Sequence, residues 1–368
     1  RPLHEITARF ATPAEIQAWD THVIANPDGG NLLQSASFAK VKADYGWKPR
    51  YIVYEGTVDR DGEKQPFASY SLAFEKNIPL LGKLWYFIKG PAVHDADELP
   101  ALLQANRRLI TEQKLGVFAV KIEPEIVADE HAQQVIAGTE LVRTADIQPN
   151  DYTAILSTEG TEEEVLKSLS SRGRNAVRRA TREGCEVKRV ELTDENMRAM
   201  YALMDTVGQG KVSLLLRPYE YYRDFWRAFE NAGQGRLYFT YEDGKPSVGA
   251  YVINYGTKGT YKDGGSKPRR KQYGDSHLVQ WTAITDLMKE HGISTYDFCG
   301  TPPAAELKNK EHPYYGLGLF KTSFTKNVTD FVGVYDQPIS ELKYKLWNAG
   351  VERLMLRLWV KKHHYSFY

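Results

Sequence analysis

Thr12-Pro13-Ala14-Glu15 and Thr161-Glu162-Glu163-Glu164 are two copies of one device. In such a capping box a threonine and a glutamate three residues later satisfy each other's backbone donors at a helix start. Each copy lies in a run where helical and strand periodicities alternate. In the first run Ile16, Trp19 and Val23 keep helical spacing, and residues 37–45 read as a short basic helix. Tyr51 to Tyr54 and Phe67 to Phe74 read as strands around a turn at 59–63. A helix over 101–113 and a strand over 117–122 follow. In the second run strands are expected at 152–156, 186–190, 236–241, 247–255 and 257–263. Helices are expected at 196–207 and 218–231. Ser276 is expected to cap a helix with Leu278, Trp281, Ile284 and Met288 on its apolar face, stopped at Gly292. Residues 295–298 and 319–325 read as further strands. Similar element order, met twice, predicts a duplicated domain.

The composition fits two folded units. The chain has 368 residues, 42% of them hydrophobic and 12% aromatic, which excludes a disordered chain. At about 150 residues per domain each half can bury its own core. Basic and acidic residues number 48 and 47, so a uniformly basic nucleic-acid binder is excluded too. Two distant cysteines, Cys185 and Cys299, offer neither a disulfide framework nor a zinc spacing. No signal-peptide pattern opens the sequence and no apolar run approaches a membrane span, so a cytoplasmic setting is expected.

The balance of charge is an average over unlike segments. From Lys167 to Arg189 there are eight basic residues against two acidic. Arg172, Arg174, Arg178, Arg179 and Arg182 fall within it and are expected to end the helix that Thr161 opens, and like charges at helical spacing destabilise a helix unless a polyanion lies against them. The plainer reading is a solvated face. Lys271-Gln272-Tyr273-Gly274-Asp275-Ser276 stands between a hairpin and a helix start, next to Arg269 and Arg270. It approaches the R/Q-x-x-G-x-G/A pyrophosphate loop of acyl-CoA N-acyltransferases (the GNAT type), or it is an ordinary basic loop. Lys321, following Phe320 in an apolar stretch, can hold a developing oxyanion or point from an edge strand to water. Arg217 before a helix start, with Tyr221 one turn on, suits a phosphate and a stacked ring, or a salt bridge with core tyrosines. The last segment, from Ile339, is helical, with Leu354, Met355, Leu358 and Trp359 on one face and six basic against two acidic residues between Glu341 and Lys362. Its apolar face docks on the first domain or on the inner face of the plasma membrane. No serine elbow, Walker loop, dinucleotide fingerprint or metal motif occurs.

Several segments, in order, resemble the FemABX family of non-ribosomal peptidyltransferases. They are Phe38-Ala39-Lys40-Val41-Lys42 through Trp47, Lys121-Ile122-Glu123-Pro124, Arg217-Pro218-x-x-Tyr221, Tyr261-x-x-Gly264-Gly265-Ser266, Tyr296-Asp297-Phe298-x-Gly300 and Gly316-Leu317-x-x-Phe320-Lys321. They span roughly residues 30–340. The resemblance implies an α+β fold of two tandem GNAT-like domains, each a mixed sheet flanked by helices. Domain 1 would comprise 1–150 plus 335–368 and hold the precursor. Domain 2 would comprise 151–334 and hold the aminoacyl-tRNA. The resemblance further implies transfer of an amino acid of the Gly, Ala or Ser class from aminoacyl-tRNA to a peptidoglycan precursor. The acceptor would be the side-chain amine of the stem peptide's third residue, in UDP-MurNAc-pentapeptide or lipid II, and no cofactor is implied.

By the same resemblance Lys42 and Arg217 would bind the precursor's diphosphate, with Trp47, Phe118, Tyr221 and Tyr261 lining its site. Lys321 would stabilise the tetrahedral oxyanion, assisted by the Phe320 N–H. Glu123 stands where FemX-like members carry an aspartate, and Phe118 where they carry a tyrosine. Arg172, Arg174, Arg178, Arg179, Arg182, Arg269, Arg270 and Lys271 would meet the tRNA. The helical arm of staphylococcal-type members has no room between Arg198 and Arg236. Glu123, Asp263, Asp275 or a substrate carboxylate are the candidates for general base. An acetyl-CoA-dependent N-acyltransferase, and a non-enzymatic protein that binds tRNA or cell-wall precursors, are the alternatives.

Overall fold

The computed structural model describes residues 3–148, 151–208 and 216–368. The strands are β1 (Leu3–Phe10), β2 (Lys48–Arg60), β3 (Glu63–Ile78), β4 (Gly82–Phe87), β5 (Val117–Ile122), β6 (Val142–Arg143), β7 (Tyr152–Ser157), β8 (Lys188–Val190), β9 (Gly235–Glu242), β10 (Lys245–Tyr255), β11 (Lys258–Ser266), β12 (Thr295–Gly300), β13 (Val328–Asp330) and β14 (Tyr335–Pro338). The helices are α1 (Pro13–Gln17), α2 (Trp19–Ile24), α3 (Ala36–Ala43), α4 (Leu99–Glu112), α5 (Glu130–Ala137), α6 (Glu162–Ser168), α7 (Ser171–Arg182), α8 (Asp194–Gly208), α9 (Tyr219–Asn231), α10 (Asp275–His291), α11 (Tyr315–Thr322), α12 (Glu341–Leu346) and α13 (Glu352–His363).

The chain forms two compact units. One comprises Arg1–Gln148, Phe331–His363 and Phe367–Tyr368; the other comprises Pro149–Asp330 and His364–Ser366. The first sheet runs β1-β2-β3-β4-β5-β14-β6 and the second, read in the same sense, β8-β9-β10-β11-β12-β7-β13. Strand for strand they correspond. Among the described residues each has one parallel pair, β4 with β5 and β11 with β12. A helix makes each crossover, α4 in the first and α10 in the second, as parallel neighbours require. Equivalent hairpins also turn on the same dipeptide. Asp61-Gly62 joins β2 to β3 and Asp243-Gly244 joins β9 to β10, all four residues at positive φ, the two-residue turn that matches strand twist. This is an α+β fold of tandem GNAT-like units with mixed sheets.

The crossover helices show why these sequences fold this way. Leu99, Leu102, Leu103, Leu109 and Ile110 bury one face of α4 on the first sheet. Val279, Ala283, Ile284 and Leu287 do the same for α10 on the second. Full burial of one such leucine or isoleucine stabilises by about 1.5–3 kcal/mol. Both capping boxes form, at Thr12 and Thr161.

Three local expectations are corrected. The basic run does not continue the Thr161-capped helix: α6 stops at Ser168, and Ser170 caps a separate α7. Helix α10 begins at Asp275, with left-handed Gly274 rather than Ser276 at its cap. Residues 315–322 are helix α11, not a strand over 319–325. A short apolar run carries no period that separates the two. Here Gly318 faces Pro302 so closely that a Cβ would overlap it, and Phe320 packs as a partly buried member of the second core. Residues 209–215, within the stretch expected to lack an inserted arm, lie outside the described residues.

Candidate active site

The second unit presents a cavity of about 530 Å³ where α7, α10 and α11 meet. Its wall includes Arg172, Arg270, Lys271, Tyr273, His277 and Phe320. Local chemistry fixes each of them. Gly173 of α7 approaches the Ser323 carbonyl, and Gly274 at φ +76° approaches the Ala176 carbonyl. A Cβ at either place would collide with backbone, so small residues hold these segments together. Arg270 Nε donates to Asp275 Oδ2 at 2.7 Å, while Lys271 is exposed. Glu242 accepts from the Lys271 and Gln272 N–H groups at 3.0 and 3.3 Å and so shapes the loop. Arg179 lies against the exposed Tyr273 ring at 4.5 Å.

His277 is packed on Phe324 and edge-on to Phe320. Ser323 Oγ donates to the Phe320 carbonyl, which leaves Oγ to accept from His277 Nε2 at 2.9 Å. Burial, aided by the nearby Arg172 charge, pushes the imidazole down to about 4. It is therefore a neutral donor at pH 7.

Lys321 lies on the sheet side of α11 and is 7% exposed, so it is neither on an edge strand nor in water. Its Nζ donates to the Gly300 carbonyl at 2.8 Å and faces the Tyr261 ring at 5.8 Å. Burial pushes the ammonium pKa down, and Cys299 and Asp297 beside it oppose that fall. The anchoring carbonyl is itself placed by a bulge. Pairing of β12 with β7 shifts between Asp297 and Gly300, and Cys299 takes a left-handed φ of 63°. Asp297 Oδ1 holds the bulge by accepting from the Cys299 N–H at 2.7 Å and from the Thr153 hydroxyl.

A second polar group lies on α9 and β11. Arg217 covers the Tyr221 ring at 4.6 Å. Lys262 reaches Asp263 Oδ1 at 3.4 Å and lies over Phe225 at 4.9 Å. Burial disfavours the Lys262 charge, but Asp263, Tyr221 and Cys299 outweigh it and leave the pKa above the ordinary lysine value. Lys262 was missed by motif reading. It stands at an unspecified position of Tyr261-x-x-Gly264-Gly265-Ser266, and only its alternation against Tyr261 along the strand distinguishes it.

In the first unit Lys42 and Glu123 are buried polar residues. Lys42 Nζ lies over Phe38 at 5.7 Å, and Glu123 Oε1 accepts from the Tyr86 hydroxyl at 2.9 Å. Trp47 and Phe118 are core. Trp47 Nε1 donates to the Phe367 carbonyl at 3.2 Å and its ring stacks on Tyr368, and Phe118 meets Trp347 edge-on. Among the described residues no group of three or more His, Cys, Asp or Glu could hold a metal.

Comparison with known proteins follows this architecture. A family profile described as an acetyltransferase (GNAT) domain matches residues 168–309. The lipid II:glycine glycyltransferase of Staphylococcus aureus strain MRSA252 is 24% identical over 423 aligned positions, covering 92% of this chain and 95% of that protein. The crystal structure of FemX superposes with a TM-score of 0.73 at 22% identity, covering 92% of this chain and 99% of FemX. A protein of unknown function from Bacteroides thetaiotaomicron shares the fold more loosely, at TM-score 0.51 and 11% identity. This chain has the fold of FemX and carries a GNAT-type acyltransferase domain in its second unit.

These likenesses bear on three placements. The aligned length exceeds the 368 residues of this chain, so the staphylococcal relative carries segments that this chain lacks. The basic helix is divided in use: Arg174 turns back onto the Lys167 and Leu169 carbonyls at 3.1 and 3.0 Å, and Arg172 donates to the Leu319 carbonyl. Arg179 pairs with Glu183, while Arg178 and Arg182 are exposed, as is Arg269 in the loop before α10. The three protein carboxylates considered as general base are all engaged. Asp263 Oδ2 accepts from Trp226 Nε1 at 2.9 Å, Asp275 pairs with Arg270, and Glu123 binds Tyr86.

Proposed function

We propose that this chain transfers an amino acid, glycine foremost, from aminoacyl-tRNA to the side-chain amine of the third stem residue of a peptidoglycan precursor. The observation that carries this reading is the buried Lys321 ammonium on the helix whose neighbouring residue, Phe320, lines a cationic cavity. The named activity of the staphylococcal relative supports glycine as the donor and lipid II as the acceptor. UDP-MurNAc-pentapeptide is the soluble version of the same acceptor.

In this reading the acceptor nitrogen attacks the ester carbonyl of the aminoacyl group. The carbonyl oxygen takes up negative charge, and the Lys321 ammonium donates to it. The intermediate then collapses: the C–O bond to the ribose breaks, the new C–N bond remains, and the proton lost by nitrogen ends on the ribose oxygen. An ester yields an amide, so the reaction runs downhill without ATP. With Glu123, Asp263 and Asp275 held by neighbours, a carboxylate of the substrate is the favoured proton acceptor. Arg270, Lys271 and the exposed arginines of α7 meet tRNA phosphates, which gives salt-dependent binding without sequence readout. Arg217, Tyr221 and Lys42 serve the precursor. The first unit holds the precursor, the second holds the aminoacyl-tRNA, and the chain works at the inner face of the plasma membrane.

Transfer of radiolabelled amino acid from charged tRNA to lipid II or to UDP-MurNAc-pentapeptide tests the reading. Product with at least one donor–acceptor pair is expected, and none with any charged tRNA overturns it. A second reading, acetyl-CoA-dependent N-acylation, draws on the same cavity and on the GNAT profile match. Tight acetyl-CoA binding by calorimetry would favour it.

A further inference from the structure

The two helices after Ile339 carry a surface that plays no part in this chemistry. Their inner residues bind the first unit. Tyr344 donates to Asp336 at 2.9 Å, Glu352 pairs with Lys121 at 3.5 Å, and Trp359 covers the Lys76 ammonium at 3.7 Å. Trp359 thus docks on the first unit, one of the two placements open to the tail's apolar face, and does not share the outward face. The outward leucines are others. Leu342, Leu346, Leu354 and Leu358 are 72%, 52%, 55% and 52% exposed.

These leucines recur every fourth residue on either side of Gly350. Along a straight α-helix that spacing drifts by about 40° per step. Residues Trp347–Val351 wind instead as a wider π-turn with a kink at Gly350, which absorbs extra chain and offsets part of the drift. Exposed leucines at this density mark an interaction surface. Lys343, Lys345, Arg353, Arg357, Lys361 and Lys362 are all exposed on the same two helices. Of the two acidic residues, Glu352 is turned inward to Lys121 and the Tyr368 hydroxyl, which leaves Glu341 outside.

We propose that α12 and α13 form a docking pad for an anionic lipid bilayer, with the four leucines entering the acyl boundary and the six cations meeting headgroups. Charge decides between occupants. A second copy related by a two-fold axis would set this basic surface against itself, whereas an anionic membrane complements it. The pad specifies how the membrane attachment named above would be made. It stands apart from the transfer reading, because its test needs no turnover.

The test is co-sedimentation of the full chain with vesicles of phosphatidylglycerol and phosphatidylcholine, against phosphatidylcholine alone. Binding to the anionic vesicles is expected, falling at least several-fold when salt is raised beyond the range where surface charges attract. Replacing all four leucines by Gln should cut binding about ten-fold or more, with the melting temperature and transfer to UDP-MurNAc-pentapeptide retained. Replacing Arg353, Arg357, Lys361 and Lys362 by Gln should remove the preference for anionic vesicles. Equal sedimentation of the leucine variant and the parent, or no sedimentation of the parent, overturns the proposal. So does light scattering that finds a parent dimer and a monomeric leucine variant, since the occupant is then a second copy. Leucine-dependent vesicle binding without any transfer to lipid II leaves the pad standing and removes the acceptor reading alone.

Discussion

Helices α4 and α10 make the same crossover in corresponding sheets, yet their N-termini face opposite chemistry. The residues before α4 are Asp95-Ala96-Asp97-Glu98, and they consume their own donors. Asp95 accepts from the Asp97 N–H at 2.9 Å, and Glu98 accepts from the His94 N–H at 2.7 Å. The residues before α10 are Arg269-Arg270-Lys271 and then left-handed Gly274, beside a cavity. Anions are favoured at the positive end of a helix dipole. The first unit answers that end with Asp95 and Glu98, whereas the second sets Asp275 there, paired with Arg270, and adds cations beside a cavity. Two units of one fold thus differ in a few loop residues at equivalent helix starts.

Two of the buried lysines repeat the contrast. Lys121 in the first unit pairs with Asp336 at 2.8 Å, both essentially without exposure. Lys321 in the second is anchored by a carbonyl, not a carboxylate. The first has a carboxylate to neutralise it, and under the proposed function the second serves a substrate oxygen.

Breaking the contrast at Lys321 should have the largest effect. Lys321→Met should lower kcat about 10²–10³-fold, the scale of losing an oxyanion donor, with precursor affinity held. Steady-state kinetics with equilibrium binding checks this, and loss of precursor binding in step with turnover would count against an oxyanion role. Lys121→Met should instead unfold the first unit. It leaves Asp336, whose pKa burial already raises, without its cation, at a cost of about 3–5 kcal/mol. Urea denaturation followed by tryptophan fluorescence reads that loss.

The next effect concerns His277. Its pKa is about 4 in the folded chain and near 6.5 in an unfolded one. Between those values the unfolded chain binds the extra proton, so stability rises with pH across pH 4–6.5 and is lost as pH falls through it. The contribution is about 3 kcal/mol. His277→Gln should flatten the melting-temperature profile in that window, and an unchanged profile would show that other groups carry it. The smallest effect should follow from giving the second unit the first unit's sign. Arg270→Glu with Lys271→Glu should raise the KM for aminoacyl-tRNA about ten-fold and reduce its dependence on salt, with little change in kcat.

Much of the fold was legible because its signals are local. A capping box, an Asp-Gly turn and a glycine helix stop each act within a few residues, and Thr12, Thr161 and Gly292 behave as their neighbours dictate. The site was legible only in part. Lys321, Arg270 and Tyr221 could be named from sequence, but the elements presenting them depend on long-range packing. Helix α11 forms because Phe320 and Gly318 find partners in other segments. Trp47 and Phe118 were assigned to substrate and are instead covered by Phe367, Tyr368 and Trp347, residues more than two hundred positions away. The same remoteness left Trp359 undecided between the first domain and a membrane, and Lys76 draws it onto the first unit.

One strand has consequences for how the protein is made. β14 pairs with β5 along Tyr335 to Pro338 and brings Asp336 to Lys121, but it is translated after everything in the second sheet. A nascent chain released before it would hold a complete second sheet and a first sheet lacking its sixth strand, with a buried ammonium unanswered. The second sheet can therefore close before the first receives its sixth strand. A ribosome that stalls before β14 is expected to yield a product whose second sheet is complete and whose first is open to proteolysis.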